Sequence, residues 1–170
     1  MASGEETPTL IYLCTSNVCR SPLASSVASS IIATLPSPLS KPVKILSAGL
    51  TDGYSAWGSP SEPRMQNAIK MATRVPVEYR TPMTKHMEEH RSQLITPSQV
   101  ADPKTCLFLV TQTHFSWLKE AVPESVLDEA VHSGRVRLID EGGDIADPYF
   151  GEQEDYNLAL EHIIATLPNR

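Results

Sequence analysis

Residues 9–22 read TLIYLCTSNVCRSP. The run Thr9–Leu13 predicts a buried strand. Ser21 followed by Pro22 predicts a helix opening, the serine as N-cap and the proline in the first turn. Leu23, Val27 and Ile31 carry that helix onward at helical spacing. A loop joining a strand's carboxyl end to a helix N-terminus aims backbone N–H groups and the positive end of the helix dipole at one point, so residues Thr15, Ser16, Asn17, Val18, Cys19 and Arg20 form a prepared anion site. The spacing C-x5-R puts Cys14 at the loop's start and Arg20 at its end, and a curled loop brings thiol and guanidinium to the same anion. The planar fork of Arg20 suits two oxygens of a phosphate, and the same field favours the thiolate of Cys14, a nucleophile facing the bound group. Ser21 is placed to donate to that sulfur when it becomes the leaving group. Asn17 belongs to the few residue types that tolerate the left-handed backbone of a tight loop.

Outward from this stretch, strands and helices alternate. "VKILS" (43–47), "TCLFLVT" (105–111) and "RVRLI" (135–139) predict three further strands. Helices are expected from about Pro60 to Ala72, in a short piece opened by the capping box "TPSQ" (96–99), over 113–121 and 124–132, and from about 153 to 167. Gly134 ends the helix before it. Residues 73–89, with Pro76, Pro82 and many charges, show no clean period and read as an exposed excursion. The order predicts an α/β fold of three layers: a four-stranded parallel sheet with helices on both faces and the phosphate-binding loop after the first strand. It forms one domain over 9–168, behind a disordered 1–8. In such sheets the ligand site lies beyond the carboxyl ends of the strands, where the opening loop falls.

A phosphocysteine mechanism needs an acid for the leaving group and later a base for water. "DPYF" (147–150) supplies Asp147 on a loop at the same sheet edge, with Pro148 fixing its backbone and Tyr149 as an aromatic wall. Chance produces C-x5-R-[ST] in roughly a few per cent of chains of this size and composition, and its position between strand and helix narrows that further. A zinc site lacks a second Cys or His cluster, and no G-x4-G-K-[ST] phosphate loop exists. Neither metal nor cofactor is expected. The chain has 170 residues, a formal charge of −6 and a pI near 5.3, which argues against nucleic acid or an anionic membrane as partner. Three cysteines, a polar N-terminus "MASGEETP" and no long apolar run lead to the expectation of a soluble cytoplasmic protein with reduced thiols.

With both motifs in place, the chain resembles the low-molecular-weight protein tyrosine phosphatases over about residues 9–167. Their C-x-G-N-x-C-R-S-P loop reads here "CTSNVCRSP", and their D-P-[YF] reads "DPYF". The resemblance implies that Cys14 is the nucleophile, Arg20 the phosphate ligand, Ser21 the thiolate donor and Asp147 the acid and base. From "SAG" (47–49) and "HRSQLITP" (90–97) it implies that Ser47, Asn17 and His90 hold the loop in shape, and from "GSPSEPR" (58–64) the start of the second helix. The pocket aromatic is Tyr54 or Trp57, with Trp57 favoured, beside Tyr149. Cys19 stands where members carry a second cysteine able to form a reversible disulfide with the nucleophile; a buried inert thiol is the alternative. Cys106 reads as core.

Departures carry information. Ser16 replaces the loop glycine, and Phe150 replaces a second tyrosine. Thr111 and His114 in "LVTQTH" replace an Asp and an Asn, as in the bacterial protein arginine phosphatases, whereas Val18 matches the tyrosine-directed members. The expected activity is hydrolysis of protein phosphotyrosine by a monomer or weak dimer, with arginine phosphatase and a retired phosphate-binding regulatory module as alternatives. An arsenate reductase needs further cysteines, and only Cys106 remains after the loop pair.

Overall fold

Four parallel strands, β1 (Thr9–Cys14), β2 (Lys44–Gly49), β3 (Thr105–Leu109) and β4 (Val136–Leu138), form one sheet in the order β2-β1-β3-β4 in the computed structural model, which describes residues 7–36, 39, 41–53, 70 and 74–167. Six helices are defined among these residues: α1 (Arg20–Ala33), α2 (Val77–Glu89), α3 (Pro97–Ala101), α4 (Thr113–Ala121), α5 (Glu124–His132) and α6 (Gln153–Thr166). Strand alternation sorts the core into two halves. Ile11 and Leu13 of β1, with Leu107 and Leu109 of β3, pack beneath Val100, Leu118, Leu127 and Ala130 of α3, α4 and α5. Tyr12 and Cys14 point the other way, toward Leu23 and Val27 of α1, Met83 and Met87 of α2, and Tyr156, Leu160 and Ile163 of α6. Burial on both faces is why the strands read as near-continuous apolar runs.

β1 lies inside the sheet, flanked by β2 and β3. The chain leaves β1 through α1 toward one edge and leaves β3 through α4 and α5 toward the other. The connections therefore diverge at the carboxyl ends of these neighbours and leave a crevice there. Three smaller expectations hold. Thr96 and Gln99 form the capping box of α3, Gly134 turns the chain after α5 at a φ of 70°, and α6 spans the expected range within a residue.

Two expectations need correction. Ser21 is not the N-cap of α1: the helix begins at Arg20, Cys19 occupies the cap without a side-chain hydrogen bond, and Ser21 turns its hydroxyl inward. Pro22 still sits in the first turn, where a missing N–H costs little. Residues 77–89 are not an exposed excursion but α2, which packs on α1 through the fully buried Met83 and Met87, one turn apart. Its apolar stripe is narrow, the half-buried Tyr79 continuing Met83 and Met87 at four-residue spacing, and Pro82 with the surrounding charges hides the period. The helix expected over Pro60–Ala72 falls, apart from Lys70, outside the described residues, as do residues 1–6 of the expected disordered start. No helix among the described residues is long and apolar enough to cross a membrane.

Candidate active site

Cys14 ends β1 with its side chain on the α1 face, 3 % exposed. The loop that follows curls beneath β2 and re-enters at α1. Its sharpest bend is Asn17, whose φ of 55° lies in the left-handed region. The curl is pinned from the side by backbone bonds: Leu50 N–H donates to the carbonyls of Cys14 and Thr15 at 3.1 and 2.9 Å, and Thr51 N–H to that of Thr15 at 2.9 Å. β2 closes with Gly49 because the loop passes so near that a Cβ there would lie 3.0 Å from the Ser16 carbonyl carbon. Ser16, where a glycine was expected, is accommodated. Its hydroxyl lies 2.9 Å from Thr51 Oγ1, over Gly53, where an added Cβ would come within 2.9 Å of the Ser16 oxygen.

Asn17 is fully buried and works as a junction. Its amide donates to Ser21 Oγ at 2.9 Å, its side-chain oxygen accepts from Gln93 N–H at 3.0 Å, and its carbonyl accepts from Ser92 Oγ and His90 Nε2, both at 2.8 Å. Burial drives the His90 pKa down to about 4, so the ring is neutral at physiological pH. Its proton must then sit on Nε2, since the carbonyl can only accept. Ser21 Oγ, besides accepting from Asn17, lies 3.0 Å from Cys14 Sγ and 3.3 Å from the Ala48 carbonyl. One hydroxyl proton is shared between sulfur and carbonyl, and negative charge on the sulfur draws it to Cys14.

The third arm descends from β4. Ile145 donates its N–H to the Val110 carbonyl at 2.9 Å and is itself fully buried, which fixes the start of the segment leading to Asp147. Arg20, on the first turn of α1, reaches across with Nη1 donating to the Ile145 carbonyl at 3.0 Å and Nη2 to Asp147 Oδ2 at 2.8 Å. Asp147 Oδ1 accepts from Tyr149 N–H at 3.2 Å. Cys14, Thr15, Ser16, Val18, Cys19, Arg20, Asp147, Tyr149 and Phe150 line one cavity of about 270 Å³, with Gly53 on its rim. Tyr149 and Phe150 meet edge to face at 4.7 Å, and Phe150 is 91 % exposed at the mouth. Sulfur, guanidinium and carboxylate thus converge on one volume, large enough for a tetrahedral oxyanion and part of an aromatic ring.

Among the residues singled out from sequence, Cys14, Arg20, Ser21, Asp147 and Tyr149 come together with the whole of Thr15–Cys19. Ser47 joins the supporting network through its carbonyl, which accepts from Gln93 Nε2 at 3.0 Å. Tyr54 and Trp57 lie outside the described residues. Cys19 lies 3.6 Å from the Tyr156 hydroxyl, and burial pushes its thiol up to about 12, so it stays protonated at neutral pH. Cys106 is half-buried in β3. Sequence reasoning missed Thr51, Ser92 and Gln93, ordinary polar loop residues whose spacing carries no signal. It noted His114 only as a departure, yet this side chain, 2 % exposed, lies 3.0 Å from Thr15 Oγ1.

No family model matches the chain, and no curated protein matches it by sequence. Solved structures do match. The low molecular weight protein tyrosine phosphatase from T. tengcongensis superposes with a TM-score of 0.68 at 18% identity, covering 95% of this chain and 96% of that one. Vibrio vulnificus Wzb, solved with benzylphosphonate, gives 0.67 at 21% identity, with 96% and 97% covered. The YwlE arginine phosphatase, in a variant with a phosphorylated active-site serine, gives 0.63 at 21%, with 94% and 90% covered. The fold of this chain is theirs.

Proposed function

We propose that this protein is a cysteine-dependent phosphomonoesterase acting on protein phosphotyrosine through a phosphocysteine intermediate. The observation that carries the reading is the convergence of Cys14, Arg20 and Asp147 on one cavity. In the first step Cys14 sulfur attacks phosphorus, the S–P bond forms, the P–O bond to the phenol breaks, and Asp147 gives its proton to the departing oxygen. In the second, water attacks phosphorus, the Asp147 carboxylate takes its proton, and the S–P bond breaks to release inorganic phosphate. Ser21, 3.0 Å from the sulfur, stabilises the thiolate at both ends of the cycle. Backbone N–H groups of residues 15–20 and the Arg20 guanidinium meet the charge on the transferring phosphoryl group. An oxyanion entering the loop competes with Asp147 for Arg20 Nη2 and so frees the carboxylate to take up, from solvent, the proton that it then passes to the leaving group.

Hydrolysis of an aryl phosphate, read for the wild type and variants, tests this. Cys14→Ser is expected to abolish turnover, and near-normal activity in it sinks the proposal. Asp147→Ala is expected to lower the rate by about 10²- to 10⁴-fold while phosphate still binds. A second reading, protein arginine phosphatase, is favoured by Thr111 and His114 and by the likeness to YwlE, and opposed by Val18. Competition between phosphotyrosine and phosphoarginine peptides separates the two.

A further inference from the structure

The proposed reaction leaves a buried titratable side chain against the phosphate loop unused. His114, on the first turn of α4, has Nδ1 2.7 Å from Thr111 Oγ1 and Nε2 3.0 Å from Thr15 Oγ1, and Trp117 meets its ring edge-on at 5.4 Å. Burial and then the positive charge of Arg20 lower its pKa to about 4. A neutral imidazole offers one donor and one acceptor, so each threonine hydroxyl engages one ring nitrogen. Thr15 directly follows Cys14, and its hydroxyl also accepts from Arg20 Nη2 at 3.4 Å, the nitrogen that meets Asp147. A continuous path runs from the β3–α4 turn through His114 and Thr15 to the guanidinium.

We propose that His114 is a positioning residue for Arg20, fixing the Thr15 hydroxyl so that the guanidinium is held ready for the oxyanion. The inference rests on the reading of the cavity as a phosphoryl site. When an oxyanion displaces Asp147 from Nη2, Thr15 remains the side-chain partner of that nitrogen on the loop side, and His114 keeps its hydroxyl from rotating away. A neutral strut is well suited here, because it restrains the loop without drawing the guanidinium's charge from the ligand, as a carboxylate would.

The test combines inorganic phosphate binding by calorimetry with aryl phosphate hydrolysis, for His114→Ala, Thr15→Val, the double variant and Thr15→Ser. Each of the first two is expected to weaken phosphate binding and lower kcat/KM by about tenfold, the loss of one hydrogen bond in a charged site. The double variant is expected to be no worse than the poorer single one, and Thr15→Ser to retain near-normal binding. Additive losses, or unchanged phosphate affinity in folded His114→Ala, overturn the proposal. Should His114→Ala fail to fold, wild-type affinity in the nearly isosteric Thr15→Val overturns it alone. Phosphate binding with these ratios but no aryl phosphate hydrolysis sinks the enzyme reading and leaves this one standing. Full hydrolysis in His114→Ala does the reverse, and a wild type that binds no phosphate overturns both.

Discussion

At the scale of single residues, the site depends on how closely two backbones approach. Gly49 stands where a Cβ would lie 3.0–3.1 Å from the Ser16 and Asn17 backbone, and backbone cannot swing aside as a flexible side chain can. Gly49→Ala is therefore expected to keep the fold, by circular dichroism, and to lower kcat/KM for an aryl phosphate by about tenfold or more, because small displacements of the loop misplace its N–H groups. Unchanged kinetics would refute that account. Cys14, Arg20 and Ser21 were legible in the sequence because their spacing is local and their chemistry is specific. Ser92, Gln93 and Thr51 were not: they reach Asn17 and Ser16 only because the chain brings residues 35 to 76 positions distant alongside the loop.

At the scale of elements, α2 links core packing to the site. Met83 and Met87 fasten it on α1, His86 Nε2 lies 3.0 Å from Ser25 Oγ, and His90, one residue past the helix, reaches the Asn17 carbonyl. Truncating Met87 removes buried volume from this joint. Met87→Ala is expected to cost about 2–4 kcal/mol in urea unfolding and to weaken inorganic phosphate binding as His90 loosens. A loss of stability with phosphate affinity unchanged would show that α2 does not support the loop. The sequence concealed this helix because Pro82 and a charged outer face left only the narrow stripe of Tyr79, Met83 and Met87 to mark its inward side. The strands and α4, α5 and α6 were plain, since runs buried on both faces and broad apolar stripes are strong local signals.

At the scale of the molecule, burial of histidines ties stability to pH. His86, His90 and His114 all have pKa values lowered from 6.5, the latter two to about 4. The unfolded chain then binds protons that the folded one refuses, so this stability is present above the unfolded pKa; for His90 and His114 it is lost as pH falls from about 6.5 toward 4, with a slope approaching 1.4 kcal/mol per pH unit for each of these two, and His86 adds in the same direction. Urea midpoints at about pH 7 and 5.5, above most carboxylate titration, measure it. Equal midpoints would refute it, as would no flattening in His90→Gln. By itself, the sequence determined the alternation of strands and helices, the parallel sheet and the anion loop with its cysteine and arginine, because these follow from hydrophobic period and from groups adjacent along the chain. Only the tertiary structure decided that Arg20 spans Ile145 and Asp147, that α2 seals α1, and that His114 braces Thr15. Those contacts join segments up to 127 positions apart, and which polar groups meet across such separations is set by packing of the sheet and helices rather than by any local pattern.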